Sequence, residues 1–435
     1  MKKTEQILGF IGIILILLLG KAFLKPDVLI RLAIGLGLGY SLMRAYTGFA
    51  GSVNRAYKTG STKLMRTMMF MFLISCILTA AFLIKADPTT YDLWVNPINL
   101  GLLIGGLLFG FGMSLSSCCA TGVLTDLVTG LPRAFITLVF FCMGVYLGFP
   151  FQNTESWVKK SWFTTPVGKK LAGGVFMPDL FKGDGFNGYL GSLLLTALFC
   201  GIVVYISYLY ERKCKRNNTY TGLDSEIIQE HEQKFDSKDY KLFSEATYNH
   251  IFAKPWTLKQ GAIALSILFA ILMGVTKAGW GASTPYGIWF GKILMAFGVS
   301  ANSVAAFAKM KPGAYTTPFF QNGVSVQNLG IILGTAVYLL TAGKFKKTFT
   351  SELHITFREA LLYALGGITM GFGTRLANGC NVGALYTPIA NFSLSGWVFF
   401  IFLVLGGIAG NIFGKKAFAQ KQPISRGKKT AEIRG

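Results

Sequence analysis

Acidic side chains are scarce in this chain, with 19 Asp and Glu against 42 Lys and Arg in 435 residues. Almost none of them falls inside an apolar run, which leaves no carboxylate relay for protons or sodium within a membrane. Histidine is scarcer: His231, His250 and His354 lie far from the cysteines, and no CxxC or HxxxH spacing occurs. No metal centre and no cofactor is expected on that residue set. Charged residues make up 14% of the chain, against about 25% in a soluble domain. Paired cysteines in exposed loops are missing, so there is no extracellular disulfide framework. Nucleic acid is not an expected partner either, because the basic excess sits in loops and no binding module is visible.

Apolar residues are abundant: 52% of the chain is hydrophobic, the mean hydropathy is +0.49, and there are 52 glycines. Repeated long apolar runs specify an all-α polytopic membrane protein, because only helices or closed barrels satisfy the backbone in lipid. Ten transmembrane helices are expected, near 7–24, 28–45, 67–86, 99–116, 134–150, 188–210, 259–276, 325–342, 358–375 and 395–413. Lys2 and Lys3 precede the first, and no small-residue cleavage site follows it, so it reads as a signal-anchor helix. The net charge of +23 fits positive-inside loops facing anionic lipid. Arg55, Lys58, Lys63 and Arg66 share a loop; Arg212, Lys213, Lys215 and Arg216 open the polar stretch 211–258; Lys344, Lys346 and Lys347 open another; and the tail from Lys415 is basic. Ten spans put these regions on one side and both termini in the cytoplasm. The lysines of 159–182 then fall outside, in a loop whose Trp157 and Trp162 suit the interface.

The sequence of Gly105–Leu124, GGLLFGFGMSLSSCCATGVL, returns without a gap as GGITMGFGTRLANGCNVGAL at Gly366–Leu385, an offset of 261 residues. Cys119 and Cys380 are equivalent in this alignment. An odd number of crossings separates the blocks, so the chain reads as two inverted pseudo-symmetric repeats, the arrangement by which transporters build a site near the midplane. The resulting organisation is a helix over 1–27, a first repeat over 28–187, a connecting helix and cytoplasmic linker over 188–258, a second repeat over 259–414 and a basic tail over 415–435. The linker carries Glu226, Glu230, Glu232, Asp236 and Asp239 and is read as a solvated segment without chemistry. The stretch 277–324 is long for a turn, holds an apolar run with Lys292 inside it, and reads as a re-entrant excursion. Gly48-Phe49 and Gly279-Trp280 mark comparable turns in the two halves.

Each cysteine block turns small and polar after its apolar run: Ser117, Cys118, Cys119, Thr121 and Gly122 in one, Asn378, Cys380, Asn381 and Gly383 in the other. Such backbone exposes N–H and C=O groups that need a polar cavity, and a helix restarting there points its N–H groups at an anion. A thiol is soft and a weak donor. A pore lined by thiols at two depths suits a sulfur- or selenium-bearing anion, where a hard oxyanion favours arginine forks. Cys76, Cys142 and Cys200 read as packing residues within spans. Arg375 and Lys277 are candidates for anion attraction, and Arg44 reads as a snorkelling side chain.

These blocks resemble the YeeE/YedE family of bacterial inner-membrane proteins, associated with thiosulfate uptake and, for some members, with proposed selenium transport. The resemblance rests on GFG-x-x-L-x-x-x-C-x-x-G-x-L in both halves and on the turns at Phe49 and Trp280. It implies re-entrant half-helices and cysteines that contact the anion in turn, here Cys119 and Cys380. The family often has a further cysteine in the first re-entrant turn, where this chain reads Gly48-Phe49-Ala50-Gly51; another sulfur or selenium species stays open. The expected function is uptake of a small thiosulfate-like anion through a thiol-lined central path, not enzymatic catalysis, with a cytoplasmic sulfur-carrier protein as candidate partner. The alternatives are a selenium-species transporter and a membrane thiol oxidoreductase using Cys118 and Cys119.

Overall fold

The computed structural model describes residues 2–230, 241 and 244–418 and is helical throughout, with only isolated bridges at Asp92–Ala278 and Phe176–Ser393 among the described residues. Of the linker residues, His231, Glu232, Asp236 and Asp239 lie outside that set, as does the tail beyond Phe418.

The first half comprises α1 (Lys2–Phe23), α2 (Pro26–Ala45), α3 (Gly51–Thr59), α4 (Lys63–Leu83), α5 (Leu100–Ser116), α6 (Gly122–Thr129) and α7 (Leu131–Thr154). Then come α8 (Tyr189–Arg216) and α9 (Asp224–Glu230). The second half comprises α10 (Leu258–Thr276), α11 (Thr284–Ala296), α12 (Ala301–Ala308), α13 (Gly323–Thr341), α14 (Phe357–Leu376), α15 (Thr387–Ala390) and α16 (Leu394–Phe418). Eight of these are long and apolar enough to cross a membrane: α1, α2, α4, α7, α8, α10, α13 and α16. The other two expected spans are the helices that carry the twin blocks. α5 has 17 residues, and α14 carries Arg358, Glu359 and Arg375, so one is short and the other diluted by charge.

Helix starts follow their caps. Asn99 accepts from the Leu102 N–H at 2.9 Å, and Thr257–Gln260 and Thr356–Glu359 form reciprocal capping boxes. In the loop before α8, the Asp184 carboxylate is held below its usual range by backbone N–H groups, that of Gly191 foremost, which ties the loop to the first turn of that helix. The apolar stretch after residue 283 is two helices, α11 and α12, parted at Gly298 with φ +92°. Lys292 is accommodated by donating to the carbonyls of Tyr315 and Thr317 at 2.8 and 2.6 Å.

Glycine sets the packing. A Cβ at Gly105 would strike the Gly373 carbonyl, and one at Gly373 the Gly105 carbonyl; Gly112 and Gly366 make the same reciprocal approach. Numbers rise along one helix as they fall along the other, so α5 and α14 run antiparallel, backbone against backbone. Around this pair, α5 packs on α16 and α14 on α7, while α2 packs on α13 and α10 on α4. Gly371 sits against the Phe141 carbonyl in the same way, whereas a Cβ at Gly274 would meet nothing within 4 Å. Both changes to alanine gain helix propensity of about 1 kcal/mol, and only the first adds a steric cost of roughly 1–3 kcal/mol. Gly371→Ala is therefore expected to lower the thermal unfolding midpoint in detergent and Gly274→Ala to hold or raise it. Equal responses would remove close backbone approach as the organising contact.

Candidate functional site

The helix α5 ends because Ser117 is left-handed, with φ 56° and ψ 16°. The α14 break has the same geometry one offset later, at Asn378 with φ 56°. After the first break, the Cys119 carbonyl accepts from the Val123 N–H at 2.8 Å. Its Sγ receives the Gly122 N–H at 3.4 Å and shares a hydrogen bond with Thr121 Oγ1 at 3.4 Å. The sulfur thus occupies the place of an acceptor at the start of α6. Cys118 and Cys119 are buried and line a cavity of about 470 Å³ together with Ser117, Thr121, Gly122 and Gly48. Asn54, Arg55, Lys58 and Asp126 make its walls polar.

Cys380 does not line that cavity. It is 1% exposed and begins a wide turn, Asn381–Tyr386, that leads into α15. Asn381 Nδ2 donates to the Met113 sulfur of α5 at 3.2 Å, and its Oδ1 is buried without a partner. Asn378 Oδ1 accepts from Gln152 at 2.8 Å. The Trp94 ring packs on Gly281 and Gly383, and the Gly383 carbonyl receives Asn96 Nδ2 at 3.5 Å. Cys119 and Cys380 nevertheless lie within electrostatic reach of each other. Tyr286 of α11, fully buried, lies within reach of both and of Cys118 and Cys142, and its hydroxyl donates to the Ala120 carbonyl at 2.5 Å. Sequence reasoning missed Tyr286. The available signal was its place in the first turn of a helix that starts with Thr284-Pro285, just after the Gly279-Trp280 turn.

Arg375 is 3% exposed. Its Nη2 donates to Ser283 Oγ at 2.8 Å, its Nη1 to Thr284 Oγ1 and Gln152 Oε1 at 3.3 and 3.4 Å, and its Nε to Thr374 Oγ1 at 3.2 Å. The guanidinium also lies 5.4 Å from the Phe149 ring. Every partner is neutral, and no carboxylate pairs with it among the described residues. Ser283 and Thr284 open α11, so a buried cation faces the positive end of a helix dipole. Lys277 is placed elsewhere: it caps α10, is exposed, and stands 5.7 Å from the Tyr91 ring. Phe49 and Trp280 meet edge-on at 6.2 Å, and both pack on Tyr386; Gly279 packs on Thr387. The two turns therefore converge on one buried aromatic centre.

Two expectations need correction. Arg44 does not snorkel. It is 5% exposed, stacks on Trp256 at 4.6 Å and donates to the carbonyls of Lys254 and Ile251 at 3.0 and 2.5 Å, because the chain entering α10 passes over it and offers carbonyls as acceptors. The described part of the linker is also not simply solvated. Leu223 lines the thiol cavity. Glu226, 3% exposed, accepts from Ser61 Oγ at 2.6 Å and pairs with Arg55 at 3.6 Å, and Gln229 donates to the Ala45 carbonyl at 3.1 Å. Arg55 stands on the cavity wall, where the Asp126 carboxylate pairs with Arg133 instead, and among the described residues its ion-pair partner is Glu226, which is drawn in. Glu226→Gln is expected to loosen this segment. Bonds to charged groups contribute about 1.5–3 kcal/mol, so limited proteolysis within 217–230 should run roughly tenfold faster or more. An unchanged rate would mean that the ion pair does not hold the segment down.

Residues 44–409 match the family described as Sulphur transport. The thiosulfate transporter TsuA of Spirochaeta thermophila is 26% identical over 385 residues, covering 86% of this chain and 95% of the relative. TsuA of Escherichia coli is 22% identical over 87% of this chain and 92% of the relative. The probable transporter YedE of Escherichia coli is 32% identical over 37% of this chain and 38% of its own length. The thiol-oxidoreductase alternative gives way, since this is a transporter family and not a family of enzymes. A polytopic helical chain with a matched cysteine turn in each half, matched by that family from residue 44 to residue 409, belongs to the Sulphur transport family.

Proposed function

We propose that this protein carries a small sulfur-containing anion, thiosulfate or a close chemical analogue, across the bacterial cytoplasmic membrane, with Cys119 and Cys380 as its successive thiol contacts. The observation that carries this reading is the pair of equivalent helix breaks, Ser117 and Asn378, each at φ 56°. Each is followed two residues later by a buried cysteine, and the two cysteines lie within electrostatic reach of each other. The inverted repeat underlies it. The Gly105–Gly373 approach becomes Gly366–Gly112 when the halves are exchanged, as self-complementary two-fold contacts require. The pairings α5–α16 and α14–α7, and α2–α13 and α10–α4, exchange in the same way. In this reading 28–187 and 259–414 are the two halves, with 188–258 between them. The segments α3, α6, α11 and the turn leading into α15 are re-entrant half-helices.

The chemistry follows from the lining. A thiosulfate-like anion offers a terminal sulfur, a weak and polarizable acceptor matched by a thiol S–H. Its oxyanion end needs fixed dipoles or charge, supplied by Arg375 and the first turn of α11. Those two positive sources face each other without a carboxylate, so an anion arriving between them offsets a repulsion already built into the fold. The intact anion is then released on the side of Arg55 and Lys58, the cytoplasmic side in this reading, where a cytoplasmic sulfur-carrier protein is the expected partner.

Uptake by proteoliposomes tests the reading, with thiosulfate, sulfite, sulfide and selenite compared. Cys119→Ser and Cys380→Ser each retain size and a hydroxyl but lose the soft sulfur; each should cut thiosulfate uptake by roughly tenfold or more, the effect of about 1.4 kcal/mol. Cys200→Ser, whose thiol meets the Met69 carbonyl at 3.5 Å in a spanning helix, should leave uptake near the wild-type level. Full uptake by the Cys119→Ser, Cys380→Ser double variant would remove the thiol contacts, and preference for selenite would move the substrate to selenium.

Arg375→Gln separates attraction from passage. Loss of a charged hydrogen bond to an anion costs about 1.5–3 kcal/mol, so the thiosulfate KM should rise about 10- to 100-fold, with the maximal rate changed far less. A KM equal to that of the wild type would place the anion away from Arg375.

A further inference from the structure

A second cavity, of about 780 Å³, lies between α8 and α16 and plays no part in the transport reading. The helix α3 separates it from the thiol vestibule, since Val53 and Tyr57 line the outer space while Asn54 and Lys58 line the inner one. Phe199 and Ile206 form one wall and Ile401 and Ile408 the other, with Trp397 between them. Ile206 is 57% and Ile401 57% exposed, so this space opens sideways to hydrocarbon and not to water.

The lining has a direction. The apolar stripe of α8 steps by seven residues from Phe199 to Ile206 and reaches Lys213. That of α16 steps by seven from Ile401 to Ile408 and reaches Lys415. A seven-residue step returns to the same helix face, so each stripe ends in a lysine, and both lysines are exposed. Tyr57 and Tyr210 lie near each other at this end, at the level where aromatic hydroxyls meet headgroups. The nearby acid is occupied: Glu211 pairs with Arg66 and Lys215, both at 2.9 Å. The groove is apolar along its length, and beyond its end Lys213 and Lys415 have no ion-pair partner among the described residues.

We propose that this groove is a binding site for one anionic phospholipid, its acyl chain between α8 and α16 and its phosphate at Lys213 and Lys415. Charge complementarity selects the occupant. A second copy of the chain, or a partner helix, would have to bring two carboxylates to the same interfacial level, whereas an anionic lipid carries its charge there by construction.

Trp397 reports occupancy. The full chain is reconstituted in phosphatidylcholine vesicles, and chain-brominated phosphatidylglycerol or chain-brominated phosphatidylcholine is titrated in. The fluorescence difference between wild type and Trp397→Phe is followed. Trp397 Nε1 has no hydrogen-bond partner, so phenylalanine costs no bond. The Trp397 component should be quenched at a roughly tenfold lower fraction of the glycerol lipid than of the choline lipid, as expected of two interfacial lysines. Lys213→Glu with Lys415→Glu should abolish that preference without changing quenching by the choline lipid. Equal quenching by both lipids, or a preference that survives the charge reversal, would overturn the proposal. Absence of quenching by either lipid would mean that protein covers the groove, and would overturn it as well.

Discussion

The constraint on which this structure depends is the need to satisfy a broken backbone in an apolar medium. Two helices stop short beside the thiols, at Ser117 and at Asn378, and each stop frees N–H and C=O groups that lipid cannot serve. The fold answers by burying the cysteine two residues beyond each break, Cys119 and Cys380. The α5–α14 crossing brings bare backbone together at Gly105, Gly112, Gly366 and Gly373, which removes side-chain bulk from between the two stops. Side chains then serve some of the freed groups: the Cys119 sulfur takes the Gly122 N–H on one side, and Asn96 Nδ2 donates to the Gly383 carbonyl on the other. At the first stop the cysteine also serves the backbone, since the Cys119 sulfur accepts the Gly122 N–H and lines the cavity.

Arg375 shows the same economy applied to charge. A guanidinium buried without a carboxylate costs several kcal/mol, and the four hydrogen bonds to Ser283, Thr284, Gln152 and Thr374 recover part of that. A carboxylate partner would recover more, and would also neutralise the site toward anions. Neutral partners leave the positive potential available, and the opening turn of α11 adds to it. The equivalent position in the first half is Ser114, which bonds to the Gly407 carbonyl and to Asn411 at 2.8 and 3.1 Å. The aligned blocks therefore differ in charge at this position.

Much of this was legible in the sequence, for reasons that can be stated residue by residue. The spans follow from hydropathy because lipid imposes length and composition. The twin cysteine turns follow from a gapless repeat. What was not legible depends on distant partners. Tyr286 has no pattern around it that marks a residue within reach of four thiols. Glu226 lies in a polar stretch that reads as solvated, and its burial is set by Arg55, which is 171 residues earlier in the numbering. Arg44 reads as interfacial until the carbonyls of 250–254 close over it. The two helices that meet at the site were legible too: spans are expected over 99–116 and 358–375, and the helices form over Leu100–Ser116 and Phe357–Leu376, one short and the other diluted by charge.

Equivalent turns do not imply equivalent access. Cys119 stands on a cavity with Arg55 and Lys58 on its wall, whereas the Cys380 turn is covered where Trp94 packs on Gly281 and Gly383. Neither covering element belongs to the cysteine blocks. Trp94 lies in the connection before α5, held by its indole N–H on Asp92 at 2.7 Å, and Leu223 and Glu226 lie in the segment after α8. The two blocks thus set where each helix stops, while the connections outside them decide how far each turn is covered. Loops hold fewer buried contacts than glycine-packed helices, so the covering over either thiol is the part of this arrangement that moves at least cost.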